Sequence, residues 1–176
     1  RQYAINSLGF TKSPQIIEFL IKLLNDEDAY VRRACASALS EIKDPTTVKQ
    51  FIERLKDPNA EIRETAARAL GKLGDQIAVS GLIEVLHDGI AAVREEAAKS
   101  LGELKNPQST KYLIQLLKSE TNLEVILEIT RAIGRIEGNT STMLALPMMN
   151  PSVRVLTKLL DVKELSIRAA AAESLA

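Results

Sequence analysis

Three segments of this chain superimpose at a fixed interval, and that interval constrains the fold more than any other feature. YVRRACASALSEI begins at Tyr30, EIRETAARALGKLG at Glu61 and AVREEAAKSLGEL at Ala92. Val31, Ile62 and Val93 are spaced by 31 residues, and Leu39, Leu70 and Leu101 keep the same step. The opening RQYAINSLG fits one unit earlier, with Arg1 over Arg32 and Leu8 over Leu39. A fourth copy, EVILEITRAIGRIEG, follows after 32 residues with Ile133 at the leucine position, and SIRAAAAESLA places Leu175 there after 42. Self-similarity at a period of roughly 20 to 50 residues is the mark of a repeat architecture.

Within each copy the apolar and small residues recur as a helical stripe, as in Val31, Cys35 and Leu39 with Ala38 and Ile42 alongside. A second set lies between the copies: Ile17, Leu20, Ile21 and Leu24; Val48, Phe51, Ile52 and Leu55; Val79, Leu82, Ile83 and Leu86; Leu113, Ile114 and Leu117. KDP at 43–45 and 56–58, GD at 74–75, HDG at 87–89 and NP at 106–107 punctuate the junctions with caps and stops. Each unit therefore reads as two antiparallel helices of about ten to thirteen residues. One hairpin cannot bury both of its apolar faces, so the copies must stack around a continuous core. Small residues at Ala34, Ala66, Ala67, Ala97 and Ala98 allow close helix approach. Cys35 falls at the small core position shared with Ala66, Ala97, Ile129 and Ala171.

The unit DPNAEIRETAARALGKLGDQIAVSGLIEVL closely resembles the HEAT-repeat family, in particular the short phycobilisome-lyase type of HEAT-like repeat. The resemblance extends over nearly the whole chain. It implies an all-α fold, a right-handed α-solenoid of antiparallel helix pairs with a period of about 31 residues. It also implies that the helices carrying Val-Arg line a concave surface. Arg1, Arg32, Arg63, Arg94 and Arg168 then form a ladder whose partners between units are Asp26, Asp57, Asp88, Asp44 and Asp75. Ile126 interrupts the ladder, and Asn106 stands where an Asp is expected. The chain opens inside a helix at Arg1 and stops at Ala176 before a terminating Gly. The expectation is one array over 1–176, cut from a longer solenoid.

On the face opposite the apolar stripe, the expected partner-binding residues are Tyr30, Arg33, Glu64, Arg68, Glu95, Glu96, Lys99, Leu127, Arg131 and Arg135. Ser37, Glu41, Glu61, Lys72, Glu103, Glu124, Glu128 and Glu173 complete that face, which carries six cations against nine carboxylates. Nucleic-acid binding needs a continuous basic track, and the whole chain has a net charge of +0 with no Trp. A nucleic-acid partner is accordingly disfavoured, although a HEAT-like nucleic-acid module stays an alternative. Glu64 to Arg68 and Glu95 to Lys99 have the favourable i to i+4 orientation, each pair contributing roughly 0.2–0.5 kcal/mol. The row Arg68, Lys99 and Arg131 runs beside Glu64, Glu95 and Glu128, a striped surface suited either to self-pairing or to a charged protein segment.

Catalytic chemistry finds no support. An iron-dependent hydroxylase branch of the same family carries several His-Glu motifs, whereas His87 is the single histidine and is followed by Asp88. His87 and Cys35 lie in different units, too far apart for a Cys–His pair. The glycines are scattered at turns and form no phosphate loop. No metal or cofactor is expected. No apolar run reaches the roughly 18 residues of a membrane span, and a single cysteine suits a reducing, cytoplasmic setting. The leading expectation is a non-catalytic scaffold that holds a protein partner along the concave face. The resemblance supplies an alternative, a lyase-type factor acting on bilin chromophores of light-harvesting proteins, against which stand a buried cysteine and the lack of an aromatic pocket.

Residues 138–150, GNTSTMLALPMMN, break the period. Val153, Leu156 and Leu160 stand before Ile167 as Ile17, Leu20 and Leu24 stand before Val31, so the surplus falls upstream of them. A competing register takes NPSVR at 150–154 as a further Val-Arg junction. In the preferred reading the segment is an insertion, a loop or short helix kinked at Pro147. Its Met143, Leu144, Leu146, Met148 and Met149 either fold back beside Ile126 and Leu127 or form a docking patch.

Overall fold

The computed structural model describes residues 13–137. Arg1, Arg168 and Glu173 lie outside the described residues, as does the whole of 138–150 with Met143, Leu144, Leu146, Met148 and Met149. Eight α-helices follow one another: α1 (Pro14–Leu23), α2 (Ala29–Ile42), α3 (Val48–Arg54), α4 (Ala60–Leu73), α5 (Val79–Val85), α6 (Ala91–Leu104), α7 (Thr110–Ser119) and α8 (Leu123–Glu137). No strand occurs among them, and the array is an all-α solenoid of helix pairs. The trailing helices of the pairs, α2, α4, α6 and α8, pack against one another in sequence, and each also packs against its own leading helix.

Helix lengths differ from the expected ten to thirteen residues. The first three trailing helices have 14 residues and α8 has 15, whereas α3 and α5 have only 7. Short 3-10 turns at Pro45–Thr47, Gln76–Ala78 and Pro107–Ser109 take the remaining length before α3, α5 and α7. Each turn is capped by an acceptor side chain: Asp44 accepts from Thr46 N, Asp75 from Ile77 N and Asn106 from Gln108 N. Asp44 and Asp75 thus cap their own turns and are not rungs of the arginine ladder, and Asn106 performs the same task as an Asp because capping needs only the oxygen.

Local chemistry explains the helix ends. Asp28 and Asn59 are N-caps whose side chains accept from Tyr30 N and Glu61 N. Gly74 ends α4 at φ 74°, the left-handed conformation that lets its N–H reach Leu70 O. Lys43 and Lys105 end α2 and α6 in the same conformation, at φ 55° and 51°, where a side chain is sterically disfavoured.

The core is continuous. Leu20, Leu39, Phe51, Ile62, Leu70, Leu82, Leu101, Leu113 and Ile126 are fully buried. The small residues sit where trailing helices meet: Ala66, Ala67, Ala97 and Ala98 have no exposed surface, and Ala34 only 3%. A Cβ on Gly102 would come 2.8 Å from Ala132 Cα, so α6 and α8 approach almost backbone to backbone. Ser100 satisfies its buried hydroxyl by donating to Ala67 O across the α4/α6 seam, at 2.8 Å.

Among the described residues, a polar clamp crosses each of the three unit boundaries between α2 and α8. Arg32 donates from Nε and Nη2 to Asp57 at 2.9 and 3.1 Å, and its Nη1 reaches the carbonyls of Asp26 and Glu27, both at 2.9 Å. Arg63 repeats this on Asp88 at 2.6 and 2.9 Å, with Nη1 on Asp57 O. Arg94 turns instead to Glu120, a partner the sequence reading did not foresee. Asp26 takes part through its carbonyl, and its carboxylate accepts from Asp28 N. At the next position the arginine is replaced by Ile126, which is wholly buried.

Candidate functional site

The trailing helices turn a charged face away from the core, and residues at equivalent positions of successive units line up in rows. One row is Arg33, Glu64, Glu95 and Leu127, and a second is Ser37, Arg68, Lys99 and Arg131. Tyr30 opens the face with 69% of its surface exposed, and the Arg33 guanidinium lies 5.5 Å from its ring centroid. Arg33 in turn pairs with Glu61 of the next unit, and Lys72 reaches back to Glu41 at 3.2 Å.

The middle of the face is a linked network. Arg68 pairs with Glu64 on its own helix and approaches Glu96 of the next unit at 3.5 Å. Glu96 also accepts from Lys99 at 3.1 Å. The expected Glu95–Lys99 pair is therefore not formed: Lys99 turns to Glu96, three residues back, and a side chain on a helix can reach either neighbour. On α8, Arg131 and Arg135 converge on Glu128 at 3.2 and 2.9 Å. Glu128 is only 5% exposed, so it lies beneath its two arginines and is not a contact residue of the open face.

All six cations of the face, Arg33, Arg68, Lys72, Lys99, Arg131 and Arg135, are thus already paired. Three of its described carboxylates are not. Glu95, Glu103 and Glu124 form no ion pair among the described residues, and Glu103 and Glu124 are exposed. Glu95 is half-buried, and its pKa is raised, first by burial and then by the charges of Glu128, Glu96, Glu124 and Glu64. The face keeps a negative residue concentrated on α6 and α8.

Two apolar side chains stand at the N-terminal end of that face, on the side of Glu95 and Glu124 and away from Glu103. Ile90, which precedes α6, and Leu123, which opens α8, are each 48% exposed. The sequence reading passed over both, yet a signal existed: Ile90 stands where Asp28, Asn59 and Asn122 place polar residues. Between them, Ala92 occupies the row of Tyr30, Glu61 and Glu124 and is itself exposed.

No group of three or more His, Cys, Asp or Glu side chains among the described residues could hold a metal ion. His87 is exposed near the end of α5 and Cys35 is fully buried, its thiol pushed up to about 11 by burial. No described helix is long and apolar enough to cross a membrane.

The HEAT-repeat model matches residues 1–58 and 48–134. Among solved structures, the complex of CpcE and CpcF of phycocyanin lyase from Nostoc sp. PCC7120 is similar at 24% identity and a TM-score of 0.73, covering 99% of this chain and 70% of that one. A designed armadillo repeat protein in complex with the peptide (KR)4 is similar at 21% identity and a TM-score of 0.63, covering 99% and 91%. An engineered protein aligns at 22% identity and a TM-score of 0.66, covering 99% and 88%. No curated protein matched by sequence.

Proposed function

The chain belongs to the HEAT-repeat family, and we propose that it is a non-catalytic scaffold that holds an extended segment of a protein partner along the face of its trailing helices. The observation that carries this reading is the asymmetry of packing. Trailing helices close on one another through alanines and glycines, with Gly102 against the backbone of Ala132, while leading helices meet through longer side chains such as Arg54 on Leu24 O. A stack that is tighter on one side curves toward that side, which supports a concave trailing face. Solenoids use such surfaces for binding, and the designed armadillo protein of the same general fold holds a peptide.

A second reading, a lyase-type factor acting on bilins, draws on the likeness to the phycocyanin lyase complex. Cys35 is too buried to offer a thiolate, and Tyr30 is the one aromatic residue on the described trailing face. A bilin titration followed by absorbance separates the two: a scaffold leaves the chromophore spectrum unchanged, and a saturable shift supports the lyase reading.

The scaffold reading is tested by affinity capture with the full chain beside the triple variant Arg68→Glu, Lys99→Glu, Arg131→Glu. A protein captured by the first whose retention by the second changes, in either direction, supports it. Equal retention by both removes the trailing face from the interaction.

A further inference from the structure

The pairing pattern of the trailing face says what kind of segment would bind there. From it we infer that the face over α6 and α8 takes a basic extended peptide, with lysine or arginine heads on Glu95 and Glu124 whose aliphatic stems lie on Ile90 and Leu123, and a further head on Glu103 toward the C-terminal end of α6. The inference rests on the scaffold reading and adds the chemistry of the partner.

Two independent observations converge on this occupant. The first is charge complementarity. Every cation of the face is engaged by a carboxylate of the chain, so an acidic partner would have to break pairs such as Arg135–Glu128 or Lys72–Glu41 before gaining any. A basic partner breaks none, because Glu95, Glu103 and Glu124 have no ion pair among the described residues. The second is the pair of exposed apolar side chains, Ile90 and Leu123, at the N-terminal ends of α6 and α8, the ends that carry Glu95 and Glu124. Lysine and arginine bury their methylene stems along apolar surface while the charged head stays in a polar setting. Exposed Ala92, with Glu95 on the next turn of α6 and Glu124 on α8, leaves room for a long side chain to lie among the carboxylates.

The spacing suits an extended segment. Packed helices lie about 8–10 Å apart, and an extended chain advances about 3.3–3.6 Å per residue. A peptide crossing from α6 to α8 therefore brings every second or third side chain over a new helix, and an Arg/Lys-rich sequence fills both positions. Glu95 and Glu124 are near enough for the charge of one to raise the pKa of the other, so a single cation between them relieves a repulsion the free protein carries.

The test is fluorescence anisotropy of the full chain with labelled octapeptides, (KR)4 and octaglutamate, at low and high salt. The expected result is saturable binding of (KR)4 that weakens with salt, and no binding of octaglutamate. The triple variant Glu95→Gln, Glu103→Gln, Glu124→Gln breaks no ion pair and should lower (KR)4 affinity by about tenfold, the scale of a few partly exposed pairs. Ile90→Ser with Leu123→Ser should lower it by a smaller factor that persists at high salt. Equal binding of (KR)4 by the wild type and the triple variant overturns the site. Failure of (KR)4 to bind, or preference for octaglutamate, overturns the partner class. A native protein captured by the wild type, lost on charge reversal of Arg68, Lys99 and Arg131 and retained by the triple Gln variant, overturns this inference while leaving the scaffold reading intact.

Discussion

Arg94 donates from Nε and Nη2 to both carboxylate oxygens of Glu120, at 2.7 and 3.0 Å, and its Nη1 holds Asp88 O at 2.8 Å. One side chain thus ties the loop before α6 to the loop before α8. Glu120 carries the second loop further by accepting from Thr121 N and Asn122 N. The side chains are 17% and 4% exposed, so water can do little to replace a lost partner. Glu120→Gln is expected to lower stability by about 2–4 kcal/mol, because removing one member strands a partly buried guanidinium. Arg94→Met with Glu120→Leu should cost much less, since apolar pairs of similar volume can replace buried ion pairs, and the position equivalent to Arg94 in the next unit is itself a buried isoleucine, Ile126. Urea titrations of the two variants check both statements. By contrast, Lys56→Ala, which removes the exposed partner of Glu84, should shift the midpoint very little.

Much of this arrangement is legible in the sequence. The 31-residue step places Arg32 over Asp57 and Arg63 over Asp88 at matching offsets, and the same step puts Cys35, Ala66 and Ala97 in the core. Glu120 is hidden from that reading because the fourth unit is one residue longer. The acid slides off the position Asp88 predicts, and its extra methylene restores the reach. Lys99 is hidden for another reason: Glu95 and Glu96 are both within helical reach, and only the approach of Arg68 from α4 makes Glu96 the shared partner. Glu128 looks like a surface residue at its helical position, yet two arginines on its own helix fold over it. Period and pattern reveal which residues meet across a repeat, while side-chain choice among equivalent partners is settled by the neighbouring helix.

Gly102 and Gly74 are required for different reasons, and alanine tells them apart. At Gly102 the backbone is helical and alanine would ordinarily gain about 0.8–1 kcal/mol of helix propensity. The added Cβ would lie 2.8 Å from Ala132 Cα, a backbone atom that cannot turn aside. Gly102→Ala should therefore be destabilising by about 1–3 kcal/mol through separation of α6 from α8. At Gly74 nothing lies within 4 Å of the new Cβ, and the cost comes from the backbone at φ 74°. Gly74→Ala should cost about 1–2 kcal/mol, and Lys43→Gly, which relieves the same strain at φ 55°, should stabilise by a smaller amount. Thermal melts by circular dichroism give all three signs.

Acid should act on the array in two opposite senses. Arg63 hydrogen-bonds the Asp88 carboxylate and holds its pKa below the usual value. For Glu120, burial pushes upward, but the hydrogen bonds from Arg94, Asn122 and Thr121 outweigh it and the net direction is down. A carboxylate depressed in the folded state stabilises above its unfolded pKa, and that contribution is lost as pH falls through the folded value. The clamps therefore weaken below the ordinary carboxylate range of about 4. Glu95 has the reverse sign. Its raised pKa penalises folding at neutral pH, and the penalty disappears once acid protonates it below its unfolded value. Glu95→Gln is expected to be more stable than wild type at pH 7, with the difference shrinking as pH falls through the carboxylate range. An equal difference at all pH values would refute the electrostatic origin.

Cys35 provides a probe of how the array opens. Burial raises its thiol to about 11, so the folded protein presents almost no thiolate at neutral pH, and the sulfur itself has no exposed surface. Reaction with a disulfide reagent must then wait for the helix pairs around α2 to separate. In a repeat array each unit is held by its neighbours, so local opening depends on the interface between them. The clamp from Arg32 to Asp57 lies at that interface, linking the loop before α2 to the loop before α4. Arg32→Met is therefore expected to speed labelling of Cys35 by about tenfold or more, the effect of weakening the local closed state by a little over 1 kcal/mol. Glu120→Gln, two units away, should change the labelling rate much less. Equal acceleration by both variants would mean that the thiol is exposed only by unfolding of the whole stack, and the contrast between the two rates measures how far stability is shared along it.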